Sequence, residues 1–267
     1  MTPFLKWVGG KGKLLPQLYP LLPSDVDQRR HVEPFVGGGA LFFGREPKGP
    51  VLLADMNFQL INAYYEVRDT PEDLIEYLKV LALDHSEELY YTRRKAYNML
   101  CTSGVGYAPL FIYLNQTCFN GLHRTNKKGD FNVPVGSYKN PLICDEDTIR
   151  KASKCLQGVV LKKCDFRDVP YLPGDFVYFD PPYMPVSATS NFTAYVGAFG
   201  EKEHVDLRDL MVELSKQDIK CMLSNSDTPW LRDLYKDMNV TTVQAGRSIN
   251  SDGAKRGAVT ELVVRNY

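Results

Sequence analysis

The segment Phe176-Val-Tyr-Phe-Asp-Pro-Pro-Tyr183 joins a short apolar run to two consecutive prolines. An apolar run without alternation is typical of a strand that is buried on both faces, as in a parallel sheet. The prolines end the strand because proline fixes its own backbone angle and donates no backbone hydrogen bond. We therefore expect Asp180 and the carbonyl of Pro181 at the carboxyl edge of a sheet, where open α/β sheets bind their ligands.

Similar apolar runs lie on either side of this segment, at residues 31–35, 51–54, 159–161 and 221–223. Between them, residues 60–67 and 207–214 carry apolar side chains at helical spacing. Strands that alternate with helices predict an α/β protein with a Rossmann-like, open and mostly parallel sheet. The strand-like residues 240–244 and 261–265, joined by the Gly/Ser-rich residues 246–258, predict a closing hairpin.

The spacing of apolar residues changes in the middle of the chain. Helical segments are predicted there at residues 71–83, 87–100 and 110–115. A polar, turn-rich segment from Asn115 to Lys139 follows them. The sequence therefore predicts a mainly helical insertion at residues 66–143, within a core domain that is built from residues 1–65 and 144–267.

Composition argues against several classes of protein. The six cysteines are scattered without a C-x-x-C pair, and the four histidines have no second ligand at zinc-finger spacing. This pattern favours reduced thiols and predicts no metal site. No apolar run has the length of a signal peptide or of a membrane span, which needs roughly 18 apolar residues. We therefore expect a cytoplasmic protein without membrane contact.

The charge of the chain is balanced overall but unevenly distributed. There are 32 basic and 32 acidic residues, and a zero sum argues against nucleic acid as a partner. Residues 92–139, however, contain seven basic residues and one acidic residue, Asp130. One face of the molecule is therefore expected to be basic.

Residues 33–41, Glu-Pro-Phe-Val-Gly-Gly-Gly-Ala-Leu, place glycines between a predicted strand and a helix, where a ligand can approach backbone N–H groups. Asp55 ends the next predicted strand, where a carboxylate can accept hydrogen bonds from ribose hydroxyls. Phe42 replaces the third glycine of the dinucleotide fingerprint, which disfavours a dinucleotide. A tight turn followed by a surface aspartate is the plainer alternative.

Asp180 and the Pro181 carbonyl suit one particular chemistry. The exocyclic amine of adenine is a poor nucleophile because its lone pair is conjugated into the ring. Two acceptors aimed at its two hydrogens favour the pyramidal geometry that frees the lone pair for attack on a methyl sulfonium. Tyr183 can stack on the base. The alternative is a proline-rich turn with a solvated aspartate.

Several segments resemble, in order and spacing, the Dam-type DNA adenine methyltransferases: Phe4 to Lys11, Glu33 to Gly39, Asn115 with Phe119 to Leu122, Phe131 to Pro134, Asp180 to Tyr183, and Leu223 to Asn225. The resemblance covers nearly the whole chain. It implies the fold of the S-adenosylmethionine-dependent methyltransferases, with the insertion as target-recognition domain. It further implies methylation of adenine N6 in double-stranded DNA within GATC, by base flipping and direct in-line transfer, by a monomer without a metal.

The resemblance also implies which residues bind the cofactor. These are Trp7, Lys11, Asp55 and Asp180, the acidic-aromatic pair Asp165-Phe166, and the glycine turn with Glu33, Phe35, Gly37 and Gly39. Catalysis falls to Asp180, Pro181 and Tyr183. Without the resemblance, Trp7 would be interpreted as a core aromatic and Lys11 as a solvated side chain.

For DNA the resemblance points to the end of the insertion. Arg124 can present two donors to a guanine edge, Leu122 with Pro134 can contact a thymine methyl, and Phe119 can fill the gap that a flipped base leaves. The remaining predicted DNA contacts are Lys6, Asn120, Asn132 and Tyr138. Relatives often carry a basic residue where this chain has Gly136-Ser137-Tyr138, which puts one phosphate contact in doubt. A solvated loop with incidental charges is the alternative.

Other functions remain as alternatives at this point. The acceptor could be the 4-amino group of cytosine, an adenine of ribosomal RNA or a protein glutamine, since each presents a planar NH₂ group. A DNA-binding protein without activity is a rival that the intact Lys11 and Asp-Pro-Pro-Tyr segment disfavour. C5-cytosine methylation is disfavoured because no cysteine stands in a Pro-Cys context at a strand end. The motifs leave open whether a restriction endonuclease acts beside the chain.

Overall fold

The computed structural model describes residues 1–102, 107–185, 199–246 and 258–267. Its strands are β1 (Arg30–Glu33), β2 (Val51–Asp55), β3 (Val160–Lys163), β4 (Asp175–Phe179), β5 (Lys220–Ser226), β6 (Asn239–Gly246) and β7 (Ala258–Arg265). They form one sheet in the order β3-β2-β1-β4-β5-β7-β6, in which β7 is antiparallel to both neighbours and every other pair is parallel. The predicted Rossmann-like sheet and its closing hairpin are confirmed, and the residues that join β6 to β7 lie outside the described ranges.

The α-helices in these ranges are α1 (Leu15–Leu18), α2 (Ala40–Arg45), α3 (Phe58–Asp69), α4 (Pro71–Leu83), α5 (Glu87–Thr102), α6 (Ala108–Thr117), α7 (Glu146–Leu156), α8 (Glu201–Ser215) and α9 (Pro229–Leu234). The three helical segments predicted for the insertion correspond to α4, α5 and α6. The observed α6 is longer than predicted and contains Pro109 in its first turn, where a missing N–H costs no helical hydrogen bond. Among these helices none combines the length and the apolar content of a membrane span.

The strand before Asp180 is buried along its whole length, as its apolar run predicts. Phe176 and Phe179 are both 0% exposed. At the beginning of β4, Asp175 accepts two hydrogen bonds from the Arg30 guanidinium of β1, at 2.8 and 2.7 Å. This ion pair lies at the amino edge of the sheet, and Asp180 follows β4 at the opposite, carboxyl edge.

The insertion shares a hydrophobic cluster with one face of the sheet. Val51 and Leu53 of β2 belong to this cluster together with Tyr64 of α3 and Tyr113 of α6. The predicted boundary at residue 66 falls inside α3, so that one continuous helix runs from the sheet into the insertion. The insertion is therefore attached through a packed helix rather than through a linker.

The polar segment after α6 folds back on itself at residues 118–135, which we call the ribbon. Antiparallel bridges join its two sides, at Cys118–Val135 and Thr125–Phe131. The side-chain carbonyl of Asn126 closes the turn by accepting hydrogen bonds from the N–H groups of Lys128 and Asp130, at 2.8 and 3.0 Å. Lys127 and Lys128 are exposed at this turn.

Candidate active site

A cleft of about 310 Å³ opens at the carboxyl edge of the sheet. It is lined by residues 7–11 of the N-terminal segment, 35–40 after β1, 55–56 at the end of β2, 180–183 after β4, and Phe199. The glycine turn and the Asp-Pro-Pro-Tyr segment, predicted separately from the sequence, therefore share one cleft.

Asp180 forms an ion pair with Lys11 in this cleft. The Lys11 ammonium lies 2.9 Å from Asp180 Oδ1, and the two side chains are 3% and 22% exposed. Burial raises the pKa of Asp180 to about 6, and the positive charge of Lys11 opposes that rise. The ion pair therefore favours a carboxylate at neutral pH in surroundings that would otherwise favour the protonated acid.

Lys11 begins a short 3₁₀-helix, Lys11–Lys13, at the end of the N-terminal segment. Its ammonium donates a hydrogen bond to the Gly9 carbonyl and lies 4.5 Å from the centroid of the Tyr183 ring. Gly9 has a φ of 80°, a conformation that glycine adopts without strain and that turns the chain back toward Lys11. The lysine is thus fixed within the site and is not a solvated side chain.

The glycine turn after β1 lies so close to Trp7 that a residue with a Cβ atom would not fit in it. Gly37 has a φ of 48°, and a Cβ placed there would lie 2.8 Å from Nε1 of Trp7. Gly39 has a φ of 68°, and its Cβ would lie 2.7 Å from the Tyr64 hydroxyl, which donates a hydrogen bond to the Gly37 carbonyl at 3.0 Å. Trp7 is therefore part of the cleft wall, against the turn.

Asp55 ends β2 and connects the glycine turn to α3. One carboxylate oxygen accepts a hydrogen bond from the Gly37 N–H at 3.1 Å, and the other accepts one from the Asn57 N–H at 2.9 Å. Burial raises the pKa of Asp55 to about 6, and these two donors oppose the rise. The carboxylate also lines the cleft, where it can accept hydrogen bonds from a ligand.

Some predicted cofactor-binding residues lie outside the cleft lining, namely Glu33, Asp165 and Phe166. Phe166 is 2% exposed and packs behind Phe35 and Phe199, with ring centroids 5.3 and 5.9 Å apart. The Glu33 carboxylate is buried beside His31, with 2.7 Å between Oε1 and Nε2. Asp165 caps the turn that carries Phe166 by accepting a hydrogen bond from the Arg167 N–H at 2.9 Å. Phe166 therefore supports the aromatic wall of the cleft from behind.

The structure brings further polar residues, which the sequence did not assign to the site, into contact with Tyr183 and the residue after it. The Tyr183 hydroxyl donates a hydrogen bond to Glu261 Oε2 at 2.6 Å. The Met184 N–H donates to Asn225 Oδ1 at 3.1 Å, and Ser226 Oγ donates to the Met184 carbonyl at 2.6 Å. Asn225 could have been found as a polar residue at the end of the strand beside β4. Glu261 carries no such local signal, because it lies on an antiparallel strand near the end of the chain.

The predicted DNA-contacting residues gather beside the cleft, at the base of the ribbon. Phe119 is 45% exposed and its N–H donates to the Pro134 carbonyl at 2.9 Å. Tyr138 is 37% exposed, and the Lys6 ammonium lies 4.2 Å from the centroid of its ring. Lys6 directly precedes Trp7, so this exposed aromatic surface continues into the cleft.

Asn115 connects the cleft segment to the ribbon. Its side-chain carbonyl accepts a hydrogen bond from the Lys6 N–H at 2.9 Å, and its amide donates to the Lys6 carbonyl at 2.6 Å. Gly121, with a φ of 62°, passes so close that a Cβ there would lie 2.5 Å from the Lys6 Cβ. Asn115, which is only 4% exposed, thus positions this surface rather than contributing to it.

The remaining predicted contacts lie along the ribbon. Nε of Arg124 donates a hydrogen bond to Asn132 Oδ1 at 2.7 Å, and Nη2 lies 3.4 Å from the Asn132 carbonyl. Asn120 is exposed, with a φ of 54°, and Leu122 is half-buried against the insertion. Asn132 therefore holds the Arg124 side chain from the opposite side of the ribbon.

Comparison with known proteins agrees with this geometry. The chain is 41% identical to the type II methyltransferase M1.LlaDCHI of Lactococcus lactis subsp. cremoris, over 100% of this chain and 96% of that protein. It is 40% identical to the type II methyltransferase M.MjaIII of Methanocaldococcus jannaschii, over 100% and 99%. It is 36% identical to a DNA adenine methylase of Vibrio cholerae, over 97% and 94%.

These relatives confirm the resemblance to the Dam-type enzymes and the expectation of an adenine-specific DNA methyltransferase. The family model of the D12 class N6 adenine-specific DNA methyltransferases matches residues 7–249. That match spans the glycine turn, the ribbon and the Asp-Pro-Pro-Tyr segment. Since it extends over most of the chain, this protein belongs to the family of D12 class N6 adenine-specific DNA methyltransferases.

Proposed function

We propose that the chain binds S-adenosylmethionine in the cleft and methylates the 6-amino group of adenine in double-stranded DNA, within the sequence GATC. One observation carries this proposal: the Asp180 carboxylate, held by Lys11, shares a cleft with the glycine turn and Asp55. The carboxylate suits a target amine, and the turn with Asp55 suits a nucleoside-containing methyl donor. Direct in-line transfer requires the two reactants to be held together in one place.

The residues of the cleft fit S-adenosylmethionine. Gly37 leaves the main chain open at a point where a Cβ would clash with Trp7. Asp55 can accept hydrogen bonds from ribose hydroxyls, and Trp7 and Phe35 offer aromatic surface to a flat ring. When bound, the cofactor supplies a methyl sulfonium, an electrophile that reacts with an amine without a metal or a covalent enzyme intermediate.

The Asp-Pro-Pro-Tyr segment acts on the target amine. The Asp180 carboxylate and the Pro181 carbonyl accept hydrogen bonds from its two hydrogens, which concentrates the lone pair on N6. Because the two prolines fix the backbone, both acceptors are oriented before the substrate arrives. Tyr183 provides the ring on which the base stacks.

The role proposed for Asp180 requires the adenine to leave the DNA double helix. A base within a duplex cannot reach a carboxylate in a cleft at the edge of a sheet, so the target is flipped out, at a cost of a few kcal/mol. Phe119, which is 45% exposed beside the cleft, fills the space that the adenine leaves. Flipping thus couples the ribbon to the chemistry.

The ribbon and the adjoining surface read the sequence. Arg124 contacts a guanine, and Leu122 with Pro134 contacts a thymine methyl in the major groove. Lys6, Asn120, Asn132 and Tyr138 complete the DNA surface. In this proposal residues 66–143 are the target-recognition domain, residues 1–65 and 144–267 are the catalytic domain, and one monomer binds each site.

The test combines one variant with mapping of methylated sites. Asp180→Ala should lower the single-turnover rate by on the order of a hundredfold or more, because it removes one of two acceptors, while DNA binding persists. Asp209→Ala, which changes an exposed aspartate on α8 away from the cleft, should retain full activity. Sequencing of DNA from cells that express the wild type should show N6-methyladenine within GATC.

Two results would contradict the proposal. Near-normal single-turnover methylation by Asp180→Ala would remove that residue from the mechanism. Methylated adenines outside GATC would preserve the chemistry but replace the proposed recognition sequence.

A further inference from the structure

Tyr183 is held by a residue of β7, two strands away from β4 in the sheet. Its hydroxyl donates a hydrogen bond to Glu261 Oε2 at 2.6 Å, and the two residues are 78 positions apart. Glu261 lies on β7 opposite Ser226 of β5. The contact therefore exists only because β7 closes the sheet beside β5, and it forms part of the folded site rather than of a local turn.

The other contacts hold the backbone just after Tyr183 and one face of its ring, but not its hydroxyl end. Asn225 and Ser226 bind the backbone N–H and carbonyl of Met184, the next residue. The Lys11 ammonium lies over the Tyr183 ring, 4.5 Å from its centroid. Neither contact restrains the hydroxyl end, so the carboxylate of Glu261 is the hydrogen-bond partner that sets where the ring points.

A carboxylate is a strong acceptor for this purpose but is electrostatically unfavourable for Asp180. Beyond the effect of burial, Glu261 and Glu33 both raise the pKa of Asp180, whereas Lys11 lowers it. An acceptor without charge would orient the ring without that effect. The orienting role and the charge of Glu261 are thus separable by substitution with glutamine.

We propose that Glu261 is a positioning residue for methyl transfer, which orients the Tyr183 ring on which the flipped adenine stacks. This inference rests on the proposed function, since it requires Tyr183 to contact the target base. Glu261 acts through Tyr183 and touches neither cofactor nor amine. Removal of the hydrogen bond should therefore slow the transfer step and leave binding of the cofactor unchanged.

The test is a double-mutant cycle measured by single-turnover methylation of a duplex that contains the mapped site. Glu261→Ala and Tyr183→Phe should each lower the rate about tenfold or more, as expected for loss of a hydrogen bond to a charged group, with an unchanged KM for S-adenosylmethionine. The double variant should be no slower than either single variant. Glu261→Gln should recover most of the rate, because its amide oxygen still accepts the hydrogen bond.

The matched control is Tyr178→Phe. Tyr178 lies on β4 and its hydroxyl is 2.8 Å from Ser224 Oγ, so this variant also loses a buried tyrosine hydrogen bond, but outside the cleft lining. It should lower thermal stability without changing the rate of the folded enzyme.

Three outcomes would overturn the inference: rate losses that multiply in the double variant, Glu261→Gln as slow as Glu261→Ala, or both single variants at the wild-type rate. In each case inactivity of Asp180→Ala would still support the proposed function. A wild-type enzyme that methylates no adenine would instead refute the proposed function itself, and this inference with it.

Discussion

Lys11 Nζ and Asp180 Oδ1 lie 2.9 Å apart in a cleft where neither side chain is freely solvated. Lys11 comes from the N-terminal segment and Asp180 from the end of β4, so the pair forms only in the folded chain. A lone buried carboxylate tends to take up a proton. The charge of Lys11 therefore favours the ionised form of Asp180, and the cleft keeps a carboxylate that can accept hydrogen bonds from an amine.

The ion pair predicts how methylation depends on pH. The pKa of Asp180 is about 6, so the fraction of carboxylate, and with it the single-turnover rate, should rise as the pH rises through about 6 and then level off. Lys11→Met removes the charge that lowers this pKa. The rise should then move to higher pH, by about one pH unit or more.

The control is Lys13→Met, which changes an exposed lysine two residues along the same 3₁₀-helix. Its pH profile should match that of the wild type. Superimposable profiles for the wild type and Lys11→Met would show that Lys11 does not maintain the ionisation of Asp180. The measurement requires saturating cofactor and DNA at every pH, so that the transfer step alone is followed.

The glycine turn predicts a specific defect in cofactor binding. Gly37→Ala would place a Cβ 2.8 Å from the Trp7 ring at a φ of 48°, so the cleft wall must shift. Calorimetry should show that the affinity for S-adenosylhomocysteine, the demethylated product of the cofactor, is reduced by about tenfold or more. A positive φ also strains alanine by about 1–2 kcal/mol wherever it occurs, which lowers stability.

Gly158→Ala separates these two effects. Gly158 has a φ of 75° but nothing within 4 Å of its Cβ position, and it lies outside the cleft. It should lose a similar amount of unfolding free energy with wild-type affinity for the cofactor product. Equal affinity in both variants would mean that the cleft does not bind the cofactor against Trp7.

Prediction from the sequence succeeded where consecutive residues encode the feature. Phe176 to Tyr183 carries its strand, its stop and its acceptors in consecutive residues, and the structure places them as predicted. The positions of the half-buried Trp7 and the buried Lys11 in the cleft follow from no local pattern, because an aromatic and a lysine near a chain end are ordinarily core and surface residues. Only the resemblance to a known family pointed to them.

The positions of Phe166, Glu33 and Glu261 share one physical cause. Phe166 follows β3 and Glu33 ends β1, both at the carboxyl edge of the sheet. Phe166 packs behind Phe35 and the Glu33 carboxylate lies beside His31, and the sequence pattern does not encode such choices of rotamer and neighbour. Glu261 reaches Tyr183 through the register of β5 with β7. Such a register is set by packing of the complete sheet, so it is predictable from neither strand alone.

The turn of the ribbon predicts a contribution to DNA affinity that is independent of sequence. Lys127 and Lys128 are exposed there, and the one acidic residue of the ribbon, Asp130, binds Asn126. Replacing both lysines with alanine should weaken all DNA sequences alike. It should also reduce the slope of log affinity against log salt, by about one for each phosphate that the protein no longer neutralises. A weakening confined to particular sequences would instead indicate base contacts.

Replacement of Phe119 should cause a defect in methylation that a change in the DNA substrate corrects. Its exposed ring is proposed to fill the stack after the adenine leaves, so Phe119→Ala should slow methylation of a correctly paired site. The same variant should recover on a duplex whose target adenine is mismatched, because less work is then needed to extrude the base. Tyr91→Ala serves as the control, because it also removes an exposed aromatic ring, but from α5 rather than from the ribbon. Equal slowing on both substrates would argue against a role in flipping.

Arg124 predicts a change in specificity rather than in affinity. Asn132 holds its Nε at 2.7 Å, so the plane of the guanidinium is restrained before DNA binds. A fixed fork of donors matches O6 and N7 of guanine, and such a contact discriminates by about 1–3 kcal/mol against other bases. Arg124→Ala should therefore relax the preference at one guanine while the other positions stay strict. Arg124→Lys keeps the charge without the fork and should relax the same position. Asn132→Ala should do so partially, because the guanidinium is then free to turn.

Methylation profiling on a library of every four-base site measures all three variants together. A uniform reduction across sites in Arg124→Ala would make this residue a phosphate contact, and Lys6, at the junction of ribbon and cleft, would be the next candidate to read that guanine.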